Sequence, residues 1–142
     1  MRAMAAAVPG QIPGLRWVLT DARRGEVFCA CYDLSGRKRL APCAVARQRL
    51  AEFLLRERAR LEGEGAPASN HLLVGEAGSG EGVDYLAAQG FGSFRSDESD
   101  LPDAGWIGLI AEANSDLGPA LPDYVREPDA QLPNLPPSPL RT

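Results

Sequence analysis

The chain has 142 residues, of which 44% are hydrophobic and 24% are charged, and its formal net charge is -4. This length fits one domain with a single hydrophobic core. The acidic balance, with a sequence pI near 5.0, excludes a general attraction to nucleic-acid phosphates, so any RNA would have to be held by a partner.

Residues 1–14 hold an alanine run that prolines and glycines interrupt, and it is too short for a signal-peptide core. We therefore expect a loose lead-in there, followed by one α/β domain over residues 15–127. No stretch reaches the roughly 20 apolar residues that a membrane span requires. Five prolines from Pro128 to Pro139 predict a disordered or polyproline tail over residues 128–142.

A β-hairpin is predicted near the start of this domain. Two runs rich in β-branched and aromatic residues, 17–20 and 27–32, flank a polar turn in which Gly25 stands where a positive φ is cheapest. Both faces of the second run are largely apolar, with Val27, Cys29 and Cys31 on one side and Phe28, Ala30 and Tyr32 on the other. A strand covered on both faces is central in its sheet.

The later elements extend this hairpin into a mixed sheet. Residues 39–45 predict a third strand, and residues 46–61 predict a helix whose inward face holds Leu50, Phe53, Leu54 and Leu61. Residues 71–75 predict a buried strand that the preceding crossover makes parallel to an earlier one. A short helix over 83–89 and an edge strand over 91–94 follow. The last predicted helix spans 103–115, with Asp103 as its N-cap. Its predicted inward face holds Trp106, Ile107, Ile110 and Ala113.

These elements predict an α/β fold with a five-stranded mixed sheet in the order 3-2-1-4-5 and about three helices. The three cysteines, Cys29, Cys31 and Cys43, form no paired framework, which favours a reducing cytoplasmic compartment over a secreted one. With His71 they lack the second ligand pair that zinc requires, so small core side chains are favoured over a metal site. His71 itself is interpreted as a strand-boundary residue rather than a catalytic base.

Three polar features have two interpretations each. The glycines from Gly78 to Gly82 form either a strand-to-helix turn, which we favour, or a phosphate cradle. The arginines from Arg47 to Arg60 form either a solvated helix face, which we favour, or a basic stripe for tRNA. The turn cluster consists of Asp21, Arg23, Gly25 and Glu26. Either its role is structural, with Asp21 closing the turn and Arg23 pairing with Glu26, or it contacts a partner or a nucleotide.

Residues 21–26, Asp-Ala-Arg-Arg-Gly-Glu, with Val27 and Phe28 after them, carry a family resemblance. They resemble the Asp-Ala-Arg-x-Gly-Glu-Val-Tyr motif that opens the second half of the bacterial TsaB family of tRNA threonylcarbamoyladenosine modification. Residues 72–78 resemble that family's Val-Val-Gly-x-Gly strand and turn, 101–105 its Leu-Pro-x-Ala helix start, and 122–130 its closing Pro-x-Tyr-x-Arg-x-x-Asp-Ala. The family's first half, with its Asp-Thr and Gly-Pro-Gly-Ser-Phe-Thr-Gly segments, has no counterpart in this sequence.

The resemblance implies one ribonuclease-H-like lobe of an actin-like protein that serves as a non-catalytic cytoplasmic scaffold. Its implied partners are a TsaD-type subunit, which transfers threonylcarbamoyl to adenosine, and a TsaE-type ATPase; self-association is a further expectation. No cofactor, metal, membrane contact or direct nucleic-acid binding is expected. The alternatives are an actin-like nucleotide-binding hydrolase, a glycoprotease-like peptidase domain, or a folded fragment without independent activity.

Overall fold

In a computed structural model, which describes residues 1–66, 70–78, 83–113 and 125, the strands form one mixed sheet. The strands are β1 (Leu15–Arg23), β2 (Glu26–Tyr32), β3 (Lys38–Ala46), β4 (His71–Val74) and β5 (Phe91–Phe94). Their spatial order is β3-β2-β1-β4-β5. The pairs β1–β2 and β2–β3 are antiparallel, whereas β1–β4 and β4–β5 are parallel. The predicted α/β class, mixed sheet and strand order are therefore confirmed.

Helices lie between and around these strands. They are α1 (Arg2–Ala7), α2 (Leu50–Gly63), α3 (Val83–Ala88), α4 (Asp97–Asp100) and α5 (Ala104–Ala113), and a 3₁₀ turn over Arg47–Arg49 leads into α2. Helices α2, α3 and α5 correspond to the three predicted ones, and α1 and α4 are additional. The Gly78 to Gly82 loop beyond Gly78, the predicted helix end at 114–115 and the predicted tail at 128–142 lie outside the described residues.

Alternation along β1 and β2 divides the apolar side chains between two cores, one on each face of the sheet. The first core packs the sheet against α2 and α3 through Leu15, Trp17, Leu19, Val27, Cys29, Cys31, Leu50, Leu54, Leu61 and Leu86. The second packs it against α1 and the segment after it through Met4, Ala5, Val8, Val18, Ala30, Tyr32 and Val74. The prediction that β2 is covered on both faces is confirmed.

The loose lead-in predicted for residues 1–14 is wrong for its first part. Residues Arg2–Ala7 form α1, and Met4 on this helix is fully buried. So short a helix is marginal by itself, and it is stable here because its apolar face packs on the sheet. The prolines and glycines that suggested a loose segment come after it, at residues 9–14.

Two predicted helix faces need correction. On α2, Leu50, Leu54 and Leu61 are buried as predicted, but Phe53 is only half-buried at the rim of the first core. On α5 none of the predicted inward residues is buried, and Ile107 is 53% exposed. The reason is that α1 already covers the second face of the sheet, so α5 packs on α1 instead of on the strands.

The start of α5 is as predicted. The Asp103 carboxylate Oδ1 accepts hydrogen bonds from the backbone N–H groups of Gly105, at 2.8 Å, and Trp106, at 3.2 Å. These two donors belong to the first turn, whose N–H groups have no partner within the helix. Asp103 is therefore confirmed as the N-cap.

Candidate functional site

Strands β1 and β4 are parallel neighbours, and Val74, the last residue of β4, pairs with Val18, so β1 extends beyond the end of β4 as far as Arg23. The loop after β4 therefore packs against the last part of β1, next to the β1–β2 turn. The backbone N–H of Asp21 donates to Glu76 Oε1 at 3.3 Å, and the N–H of Ala77 donates to the Leu19 carbonyl at 3.3 Å. Two segments far apart in sequence, 21–26 and 72–78, thus form one surface, which we call the turn site.

The β1–β2 turn is tight and has an unusual backbone. Arg23 pairs with Glu26 across the hairpin, which leaves Arg24 and Gly25 as the two loop residues. Both have positive φ, 54° and 77°, as a type I′ turn requires. Arg23 also has a positive φ, 63°, at a register shift in the β1–β2 pairing. Two consecutive arginines in the left-handed region carry a conformational cost, and such strain concentrates at functional positions.

Close backbone packing fixes the loop after β4. Gly75 has a φ of 101°, and a β-carbon on it would lie 2.4 Å from the Leu19 carbonyl oxygen. No side chain fits at that distance, and few residues other than glycine adopt that φ. Gly75 therefore allows the loop to pass close enough for Glu76 to reach Asp21.

Asp21 is at the centre of the polar contacts of the turn site. Its Oδ1 accepts from the Arg23 backbone N–H at 3.0 Å, which closes the turn as predicted. Its carboxylate lies 3.7 Å from Arg23 Nη1 and 3.6 Å from Arg47 Nη2. Arg23 and Glu26 are cross-strand partners in the hairpin and Arg23 forms an ion pair with Asp21, while the ion pair between Arg23 and Glu26 stays a prediction. Arg47 also ties the turn to the 3₁₀ segment, because its backbone N–H donates to the Gly25 carbonyl at 2.8 Å.

The turn site presents charges of both signs to solvent on a well-connected backbone. Its acidic members are Asp21, Glu26 and Glu76, and its basic members are Arg23, Arg24 and Arg47. The Arg23 side chain is 87% exposed. Exposed pairs of this kind contribute only about 0 to 1 kcal/mol to stability. What such a surface offers chemically is directional hydrogen bonding and charge complementarity toward a polar partner.

His71 is the first residue of β4, as predicted, and its side chain is buried in a hydrogen-bonded chain. Its side chain is 2% exposed. Trp17 Nε1 donates to His71 Nδ1 at 3.1 Å, and His71 Nε2 lies 3.1 Å from Glu62 Oε1. Because indole nitrogen only donates, Nδ1 must accept and Nε2 carries the proton. Burial lowers the pKa of His71, against the opposing effect of Glu62. The ring is therefore a neutral structural bridge.

Among the cysteines and the arginines from Arg47 to Arg60, Arg47 joins the turn site, through Asp21, whereas the three cysteines and the arginines on α2 do not. Cys29 and Cys31 are buried in the first core, and burial raises the pKa values of these thiols and of Cys43. No group of three or more His, Cys, Asp and Glu side chains in the described ranges is arranged to hold a metal ion. On α2, Arg56 and Arg60 pair with Glu57, and Arg58 pairs with Glu62, as on a solvated face of mixed charge.

Comparison of the chain with protein-family models, with curated proteins and with solved structures finds no match. None of the helices in the described part of the chain has the length and apolar character needed to cross a membrane. Sequence reasoning did not identify Arg47 and Glu76 as members of the turn site. The available signal was that Glu76 lies inside one of the segments, 72–78, that carry the family resemblance.

Proposed function

We propose that this chain is a ribonuclease-H-like domain that serves as a non-catalytic scaffold in cytoplasmic tRNA threonylcarbamoyladenosine modification. Its proposed partners are a TsaD-type catalytic subunit and a TsaE-type ATPase. The order of four motif-like segments along the chain supports the proposal, as does the strand order 3-2-1-4-5, which the resemblance to an actin-like half led us to expect.

The observation that carries the proposal is the hydrogen bond from the Asp21 N–H to Glu76. It joins two of the four segments that resemble the TsaB family, 21–26 and 72–78, into one surface. The loop after β4 follows the carboxyl end of a parallel strand, a position at which α/β folds place functional loops, and it packs there against the last part of β1. The positive φ of Arg23, which lies outside the two loop positions of the type I′ turn, is a second sign that this turn is shaped for more than connecting two strands.

A scaffold role matches the chemistry of the turn site. Its side chains are carboxylates and guanidinium groups in mutual ion pairs, which suits recognition of a polar partner surface. The chain's acidic charge supports the part of the proposal in which a partner subunit holds the tRNA.

The test is a binding and activity experiment with purified components. The chain is mixed with a TsaD-type subunit, with and without a separately expressed first half of a TsaB-family protein. Complex formation is followed by light scattering and calorimetry, and modified adenosine in tRNA by mass spectrometry. We expect a complex and restored modification when all components are present.

Charge reversal at the turn provides the site-specific arm. Arg23→Glu should weaken the complex at least about tenfold, because the Arg23 side chain is 87% exposed and its charge is open to a partner. Arg49→Glu, an exposed arginine outside the site, is the matched control and should bind as the wild type does. Absence of any complex in either mixture would refute the proposed function, and equal weakening by both variants would refute the role of the turn.

A further inference from the structure

A cavity of about 330 Å³ lies at the opposite end of β1 from the turn site, between α1, α5 and the β2–β3 loop. Two arginines, Arg2 and Arg16, line it together with Asp33. The remaining lining is mainly apolar and includes Val8 and, on α5, Trp106, Leu109 and Ile110. The cavity therefore combines positive charge with an apolar wall.

Arg16 is a buried cation on an otherwise apolar face of the sheet. The residue is 3% exposed, and its Nη2 donates to the carbonyls of Val8 at 3.2 Å and Pro9 at 3.3 Å. Its Nε is buried without a hydrogen-bond partner. No carboxylate of the described residues lies within ion-pairing distance of it. Burial lowers the pKa of Arg16, and the negative charge of Asp33 acts in the opposite direction.

Arg2 brings a second guanidinium group to the same cavity. It lies against the β2–β3 loop, where a β-carbon on Gly36 would be 3.5 Å from Arg2 Nε and 3.6 Å from Nη2. Within the described ranges Arg2 has no ion pair with an acidic side chain.

Asp33, the acidic residue of the lining, is already engaged. Its Oδ1 accepts from the N–H and hydroxyl of Ser35 and from the N–H of Arg37, and its Oδ2 lies 4.0 Å from Arg39. The cavity thus has two guanidinium groups and one carboxylate whose hydrogen bonds are directed into its own loop.

Arg16 is costly to bury, because its Nε has no hydrogen-bond partner and the carbonyls that Nη2 contacts carry no net charge, so an anion beside this guanidinium would lower that cost. Guanidinium groups match carboxylates and phosphates because their N–H donors form a planar fork. We propose that this cavity binds a small amphipathic anion, a carboxylate or phosphate monoester on an aromatic or short aliphatic body. The anionic group contacts Arg2 and Arg16, and the body packs on the α5 wall.

The cavity size limits the ligand. Small-molecule sites occupy about 300 to 1,000 Å³, so this cavity is at the lower end of that range. A single aromatic ring with one acidic group suits such a volume, whereas a nucleoside triphosphate is too large. This inference is independent of the proposed function, since it concerns the other end of the sheet.

The test is calorimetric titration of the full chain with four compounds. These are phenylacetate, phenyl phosphate, inorganic phosphate and the neutral 2-phenylethanol. We expect at least one aryl anion to bind with a submillimolar dissociation constant and the neutral alcohol to bind at least about tenfold more weakly. Weaker binding of inorganic phosphate than of phenyl phosphate would show the contribution of the apolar wall, and the tighter of the two aryl anions identifies the anionic group.

Variants locate the binding in the cavity. Arg2→Met and the cavity-filling Ala6→Phe should each weaken binding of the aryl anion at least about tenfold. Arg49→Met, which changes an arginine outside the cavity lining, should leave this binding unchanged. Arg16→Met should abolish binding, and if it unfolds, as circular dichroism would reveal, the other two variants decide. The proposal is overturned by no saturable binding of either aryl anion, by equal binding of the alcohol, or by full binding to Arg2→Met and Ala6→Phe.

Discussion

Two neighbouring residues on α2, Leu54 and Phe53, test how this helix covers the sheet. Leu54 is fully buried in the first core, so Leu54→Ala removes its burial and leaves a cavity. In fully buried sites such a change costs about 2.7 to 5.0 kcal/mol, and we expect about 3 to 4 here. That is a large share of the roughly 5 to 15 kcal/mol that stabilises a domain.

Phe53 is half-buried at the rim, where the Arg56 guanidinium lies 5.2 Å from its ring centroid. Because part of the ring already contacts solvent, Phe53→Ala should cost only about 1 to 2 kcal/mol, below the roughly 3 to 5 expected for a buried phenylalanine. Arg56→Ala, whose side chain is 61% exposed, should cost under about 1 kcal/mol.

Urea unfolding of the three variants measures these free energies, provided that the slope m of each variant equals that of the wild type. The expected ranking is Leu54→Ala first, then Phe53→Ala, then Arg56→Ala. If Phe53→Ala cost as much as Leu54→Ala or more, α2 would be rotated relative to the packing described here. A changed m would instead report a different unfolded or native ensemble.

Three further predictions address the histidine, the loop glycine and nucleotide binding. The folded-state pKa of His71 is below its ordinary 6.5, so its contribution to stability is present above pH 6.5 and is lost as the pH falls through that value toward the folded-state pKa. The difference in unfolding free energy between the wild type and His71→Gln, measured at several pH values, reports this contribution. A difference that does not change with pH would contradict the prediction. Gly75→Ala should lower the free energy of unfolding by more than about 2 kcal/mol, because its β-carbon would lie 2.4 Å from the Leu19 carbonyl oxygen. Gly10→Ala, whose β-carbon would have no atom within 4 Å, is the control and should be nearly neutral; thermal melts measure both. The isolated chain should not bind ATP tightly, since the proposed function assigns nucleotide chemistry to other subunits; a micromolar dissociation constant by calorimetry would favour the hydrolase alternative.

The sequence alone determined the fold class and the leading antiparallel strands. Alternation of apolar residues in β2, the hairpin residues around Gly25 and the crossover before His71 predicted an α/β fold with a mixed sheet, and the family resemblance added the full order 3-2-1-4-5. These features are local in sequence: side-chain period, turn chemistry and crossover handedness act within one supersecondary unit. The N-cap at Asp103 is local for the same reason.

Only the tertiary structure decided which helices cover the two faces of the sheet and which charged groups meet. Residues 2–7 and α5 are both apolar, and nothing local in either segment determines that α1 takes the second face while α5 packs outside it. The same applies to Asp21 with Glu76, and to Arg2 with Arg16, which lie 55 and 14 residues apart in sequence. Long-range packing brings these groups together, and neither periodicity nor propensity along the chain records a contact between distant elements.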